Sequence, residues 1–424
     1  MNTPNPTRES RRRKVATVAG LALAASASLA TPDPRNITTG WEIPSEGYCD
    51  QPYIIKTADG AWLCVMTTGH GEEGTHGQHI VATRSTDHGR TWSPLVSIEP
   101  ADGPEASWAM PLIVPGGRIY VFYTYNAANL REVIANEGPG HDYATRRVDT
   151  LGEYAFKYSD DHGRTWSTDR HFIPIRAMAI DRANPYHGAV RFQWGVGKPV
   201  VHKGIMWLGF SKIGHFGEGF IAQSEACFLR SDNICTEPDP LKIQWETLPD
   251  GDHGLRSPEG PIAEEANLTV LSDGALFCTY RTTDGHPCHA YSRDGGHTWT
   301  PSAFMTYHPG GPPLAHPRAA NFVRRLDAPP FTGRFIYWFH NHDGKGYEGR
   351  NIAWLLGGVE ADNPNGRIIR WGRPEVVLYS TDRNLRMSYP DFIEDNSALY
   401  ITETQKNVAR VHQIPPWLLQ RLWE

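Results

Sequence analysis

Three scarcities bound this 424-residue chain before any motif is considered. Long apolar runs are missing: the apolar stretch near the N-terminus, Val15 to Leu23, falls short of the ~20 residues a spanning helix needs, so a membrane-embedded protein is not expected. Cysteines are few, six in all, and no two have the C-x-x-C spacing of a zinc-thiolate centre, so no metal site is expected. Excess positive charge is absent too: 41 Lys and Arg stand against 47 Asp and Glu, a net charge of −6, which argues against a nucleic-acid partner. No cofactor is expected.

The first 30 residues read as a secretory signal: Arg11-Arg12-Arg13-Lys14, the apolar stretch, then Ala24-Ala25-Ser26-Ala27-Ser28-Leu29-Ala30 as small residues before a cleavage site. The arginine run also fits a twin-arginine signal. Residues 31–424 are then one domain of a secreted or periplasmic protein. An even cysteine count in an exported chain allows disulfides, and Cys278 with Cys288 or Cys227 with Cys235 can bridge neighbouring strands.

What the chain has in quantity is turns and aromatics: 41 Gly, 33 Pro and 14 Trp, which suits stacked sheets and carbohydrate binding alike. The stretch from Glu264 to Trp299 shows the organisation. An apolar strand (Ala266 to Leu271) is followed by the turn Ser272-Asp273-Gly274 and a second strand (Ala275 to Arg281). A loop and a third strand (Cys288 to Tyr291) then run into SRDGGHTW. Such a meander is too small to bury its own faces. Its last eight residues recur: STDHGRTW from Ser85, SDDHGRTW from Ser159 and SRDGGHTW from Ser292 share S-x-D-x-G-x-T-W. Physically, Asp87, Asp161 and Asp294 are turn formers accepting backbone hydrogen bonds, the glycine supplies a left-handed position, and the tryptophan is expected buried between sheets.

This motif resembles the Asp-box of sialidases and related β-propellers. The resemblance implies an all-β fold, a ring of sheets that leaves only short, protected edges. Six strand openers follow residue 40: Asp50-Gln51-Pro52, Ser107-Trp108-Ala109, Gly197-Lys198-Pro199, Glu264-Glu265-Ala266, Pro317-Arg318-Ala319 and Ser388-Tyr389-Pro390. Trp92, Trp166, Trp245, Trp299 and Trp371 close five blades, and the last takes its fourth strand from the segment near Trp41. Roughly 390 mature residues at about 65 per blade give a six-bladed β-propeller; the alternative is a seven-bladed propeller of the polysaccharide-lyase kind.

In a propeller the first strand of each blade lines the channel. The resemblance maps a catalytic carboxylate onto Glu265, a substrate-binding arginine onto Arg281, another onto Arg350 in GRNIAWLL, the nucleophilic tyrosine onto Tyr389 and a buttressing carboxylate onto Glu403. All five are expected to converge at the channel mouth, with Tyr389 attacking an anomeric centre after Glu265 takes its proton. Two departures fall in the first blade. Asp50, beside Gln51, stands where the family has an arginine, and the acid/base loop reads GHGEEGTHGQH, offering Glu72, Glu73 and His76 to protonate the leaving oxygen. At ~4 Å and an effective dielectric near 20, a carboxylate at Asp50 repels a substrate carboxylate by about 4 kcal/mol, so weak cleavage of sialosides is expected. Trp108, Arg318, His340 and His342 are sugar-contact candidates.

Each residue also has a purely structural reading: Arg281 and Glu403 as an ion pair across strands, Tyr389 as a channel aromatic, the loop histidines as solvated side chains. Three functions follow. The first is an exported exo-acting glycoside hydrolase trimming an acidic or modified sugar from a carbohydrate substrate. The second is a propeller-type lyase acting beside a uronic acid, and the third a non-catalytic carbohydrate-binding propeller.

Overall fold

A computed structural model describes Met1 and residues 32–136, 142–145, 148–217, 220–344 and 349–424. The expected signal segment therefore lies, Met1 apart, outside the described residues. Asp33–Glu424 make one compact unit, and no described helix is long and apolar enough to cross a membrane.

The unit is a six-bladed β-propeller, each blade an antiparallel sheet whose strands run in sequence order except in the sixth, whose outer strand comes from the N-terminus. The first blade comprises Tyr48–Lys56, Trp62–Gly69, His79–Ser85 and Val96–Ser97; the second Ala106–Ile113, Ile119–Tyr125, Glu153–Ser159 and His171–Phe172. In the third, Gln193–Trp194 and Val200–His202 both pair with Ile205–Gly217, followed by Phe220–Ser231 and Glu246–Leu248. Its inner edge is thus broken at the Gly197-Lys198-Pro199 opener, where proline cannot donate to the ladder. The fourth holds Glu264–Val270, Leu276–Arg281, Cys288–Ser292 and Ala303–Phe304; the fifth Phe322–Arg325, Phe335–Phe339, Ala353–Ala361 and Ile368–Leu378. The sixth takes Ser388–Asp395, Ala398–Thr404 and Ala409–Gln413 from the C-terminus and Trp41–Ile43 from the N-terminus, with Trp41 opposite Val411. Joining first strand to last closes the ring and covers the open edge of Ala409–Gln413.

The repeated box is one hydrogen-bonded device used three times. In each copy the serine hydroxyl donates to the Asp at 2.8 Å and accepts from the glycine N–H at 2.8 Å. The threonine N–H and hydroxyl then donate to the same Asp at 2.9 and 2.6 Å. The hydrogen bonds from Thr91 hold the Asp87 carboxyl down at about 2. The glycines have φ of 80°, 80° and 103°, and each faces the preceding blade: an added Cβ would lie 2.6 Å from Val411 at Gly89, 2.6 Å from Leu63 at Gly163 and 2.9 Å from Leu248 at Gly296. Trp299 stacks on Phe228 of the preceding blade with centroids 4.5 Å apart. The three box tryptophans are half-buried rather than fully buried, because they sit at the outer corner where blades meet and cover an interface from one side.

All six cysteines are free thiols. The Cys278–Cys288 bridge fails on register, with Cys278 opposite Ala290 and Cys288 opposite Tyr280. Cys235 is not on a strand neighbouring Cys227 but in the turn after Phe220–Ser231, the strand that carries Cys227. A cross-strand disulfide needs side chains that face each other.

Candidate active site

Four inner strands share a distortion at the same point. Their ladders with the second strands shift register between Asp50 and Tyr53, Ser107 and Met110, Glu264 and Asn267, and Ser388 and Asp391. At each shift one residue adopts a left-handed backbone: Gln51 (φ 49°), Trp108 (69°), Glu265 (56°) and Tyr389 (49°). Such backbone is costly for residues with a Cβ and is held only where packing over-determines it. The bulge has a geometric use. Neighbours on a regular strand point to opposite faces, whereas an extra residue lets two consecutive side chains aim the same way. Glu264 and Glu265 both reach Arg281 for this reason.

Tyr389 donates its hydroxyl to Glu265 Oε1 at 2.8 Å. Arg281 Nη1 lies 3.0 Å from the same oxygen, while its Nε donates to Glu264 Oε2 at 2.6 Å. Glu264 Oε1 takes Arg318 Nη2, so one carboxylate bridges two guanidinium groups. Arg350 donates to Ser388 Oγ at 2.6 Å and to the Arg318 carbonyl at 3.3 Å. Tyr389, Glu265, Arg281 and Arg350 each expose 2% or less. Burial pushes the Tyr389 phenol well above its ordinary value, and Glu265 nearby adds to that. Burial likewise raises Glu265 against the opposing pull of Arg281. For Glu264 burial also acts upward, but Arg281 and then Arg318 outweigh it and hold the carboxyl below the ordinary range.

The first blade brings a feature that residue type and spacing did not reveal. Lys406, in the turn after Ala398–Thr404, reaches Asp50 Oδ2 at 2.6 Å and Glu73 Oε2 at 3.1 Å, and its Nζ lies 4.7 Å from the Tyr389 ring centroid. Tyr48 donates to Asp50 Oδ2 at 2.9 Å. Asp50 is therefore a paired anion, and the repulsion expected of it toward a substrate carboxylate is largely cancelled. Burial nevertheless raises its carboxyl to about 6, with Lys406 acting against that rise. A lysine in a polar turn reads as solvated, so only the need to compensate a buried Asp50 could have pointed to it. Glu264 was missed because alternation assigns it the face opposite Glu265.

Of the acid/base loop, the contacts tie Glu73 to the centre through Lys406, whereas Glu72 and His76 are exposed. Gln51 is buried and accepts from Thr67 Oγ1 at 3.4 Å; the same hydroxyl accepts from the Trp108 N–H at 2.9 Å. Trp108 packs edge-on to Trp194 and Tyr389, at 4.8 and 6.2 Å between centroids. Arg318 borders a cavity of about 350 Å³ shared with Thr283, Asp284, Gly285, His286, Asp343 and Gly344. His342 is half-buried, set between the Gly349 carbonyl and the Gly344 N–H. His340 is buried, stacked on His316 at 5.8 Å and hydrogen-bonded to the Ile352 carbonyl, which makes it part of the wall. Glu403 does not join the arginines: its Oε1 faces His412 Nε2 at 3.5 Å and Gln405 Nε2 at 3.4 Å, so an Arg281–Glu403 pair does not form. The strand pleat turns Glu403 away from the face on which Thr402 and Thr404 bond the first blade.

Residues 157–168 match the BNR/Asp-box repeat family. No curated protein sequence matches the chain. Among solved structures, the chain is similar to the intramolecular trans-sialidase from Ruminococcus gnavus in complex with oseltamivir carboxylate (TM-score 0.61, 14% identity, 89% of this chain and 96% of that one). It is also similar to the K499G mutant of NanB sialidase from Streptococcus pneumoniae (0.58, 13%, 91% and 71%) and to Trypanosoma rangeli sialidase in complex with sialic acid (0.55, 14%, 89% and 55%). The protein is an Asp-box β-propeller with the sialidase fold, divergent in sequence.

Proposed function

We propose that the protein is an exported exo-acting glycoside hydrolase that works through a covalent tyrosyl intermediate. The observation that carries this reading is the 2.8 Å hydrogen bond from Tyr389 to Glu265, buried at the centre of a sialidase-like propeller. A phenol with a raised pKa stays protonated until it reacts, and Glu265 is placed to take its proton as the oxygen attacks the anomeric carbon. The bond to the aglycone breaks as an acid protonates the leaving oxygen. Glu73 is the residue we assign to that step, since Lys406 holds it beside Asp50 and it is half-exposed on the solvent side. Water then releases the sugar from Tyr389 with Glu73 acting as base, and two displacements retain the anomeric configuration. The Lys406 ammonium near the ring favours the phenolate character that builds up on departure. Export is supported by the N-terminal signal pattern.

The test is turnover of a panel of aryl glycosides by the wild type and Tyr389→Phe, with a 2-fluoro glycosyl fluoride to trap the intermediate. The expected outcome is a fall of about 10³ or more in kcat/KM for Tyr389→Phe and a mass increment on the Tyr389 peptide. An unsaturated, ultraviolet-absorbing product would instead indicate a lyase, and binding without turnover a lectin.

A further inference from the structure

The central charges are already spoken for by the chain. Glu264 bridges Arg281 and Arg318, Arg281 Nη1 also faces Glu265 at 3.0 Å, and Lys406 is shared by Asp50 and Glu73. Arg350 donates to Ser388 Oγ and to a main-chain carbonyl. A carboxylate on the sugar would enter a site where an internal carboxylate occupies the guanidinium fork that it would need, with Glu265 alongside. Displacing Glu264 would leave a fully buried anion without its partners, which is far costlier than leaving the pair in place. The wall also offers uncharged polar atoms. Gln51 Nε2 and Ser107 Oγ are buried on two of the bulges and have no hydrogen-bond partner among the described residues, although both belong to side chains at most 2% exposed. Buried polar groups of this kind are costly unless a ligand satisfies them, and sugar hydroxyls would do so.

We propose that the site centred on Tyr389 and Glu265 takes an uncharged sugar ring, and that Glu264 is the specificity-determining residue that excludes a ring bearing a carboxylate. The inference rests on the reading of this centre as a sugar-binding site. Glu264 acts as a built-in substitute for a substrate carboxylate, locking Arg281 and Arg318 in place and leaving recognition to neutral hydrogen bonds.

The discriminating probes are 2-deoxy-2,3-didehydro-N-acetylneuraminic acid and its methyl ester, which share one ring and differ in charge. Binding is followed by the fluorescence of Trp108 and Trp194 and by titration calorimetry. The wild type is expected to bind the ester at least as tightly as the acid, and Glu264→Gln is expected to tighten the acid about tenfold while leaving the ester within threefold. A wild-type preference of tenfold or more for the acid overturns the proposal, even should Glu264→Gln fail to fold. So does a folded Glu264→Gln protein that binds the acid no tighter, undetectable binding included. In parallel, wild-type turnover is compared between 4-nitrophenyl glycosides of neutral hexoses and the matching glucuronide and sialoside. Faster turnover of either acidic glycoside also overturns it. Absence of turnover on every glycoside counts against the hydrolase reading alone, since the ester-to-acid preference decides the present inference without catalysis.

Discussion

His316 shows how a single side chain at the centre is held in one protonation state. It is buried, accepts the His340 N–H at Nδ1 (3.2 Å) and meets the Ala319 carbonyl at Nε2 (2.9 Å), which defines the neutral tautomer with its proton on Nε2. Burial pushes its pKa down to about 3. The sign follows directly: the unfolded imidazole takes a proton below about 6.5 while the folded one does not, so His316 contributes full stability above that pH and loses it as pH falls toward 3. The slope is at most about 1.4 kcal/mol per pH unit from this one group. We predict that ¹⁵N spectra show His316 as the neutral Nε2–H tautomer at pH 5, and that the melting temperature declines from pH 7 to pH 4. A protonated His316 at pH 5 in the folded protein would contradict this account.

Among elements, the Asp-box was legible from residue types alone, because every polar contact in it is local and repeats at fixed spacing. Its glycine carries two constraints that can be separated. Gly163 has φ 80° and its added Cβ would meet Leu63 of the neighbouring blade at 2.6 Å, whereas Gly274, in the hairpin turn of the fourth blade, has φ 86° and nothing within 4 Å. Gly274→Ala pays only for the left-handed backbone, about 1 kcal/mol. Gly163→Ala adds a clash between packed sheets and is expected to cost roughly 2–4 kcal/mol. Urea denaturation of both variants checks the ordering, and equal losses would show that the blade contact yields without cost. The bulges were not legible in the same way. Nothing local in Asp50-Gln51-Pro52 or Glu264-Glu265-Ala266 announces a left-handed residue; the packing of six inner strands around one axis imposes it.

For the whole molecule, closure depends on three residues near the N-terminus pairing with Ala409–Gln413. Deleting residues 33–43 leaves that strand as an open edge and uncovers Val411 and Ala409, which are fully buried. The truncated protein is expected to melt at least 10 °C lower or to associate, as read by circular dichroism and size-exclusion chromatography. An unchanged melting temperature in a monomer would mean that the ring closes without the strand. Cooperative loss is the physical expectation for a fold in which each blade is stabilised by two neighbours.

Residue order alone settled the features that arise from contacts within a few positions. These are the three boxes and the succession of six strand openers. The missing closing tryptophan of the last blade pointed to the segment near Trp41, but the pairing of Trp41 with Val411 joins the two ends of the chain and is a tertiary contact. The resemblance to sialidases that those motifs carry singled out Tyr389, Glu265 and Arg281. Tertiary structure decided whatever depended on distant segments meeting. Lys406 neutralises Asp50 across 356 positions, turning an apparent repulsive site into an ion pair. Glu264 shares a face with Glu265 only because a bulge breaks strand alternation, and Glu403 turns to His412 because the pleat leaves it no other direction. The physical reason is common to all three. Charge compensation in a buried centre is a property of three-dimensional proximity, and neither spacing nor residue type encodes which partner will be near.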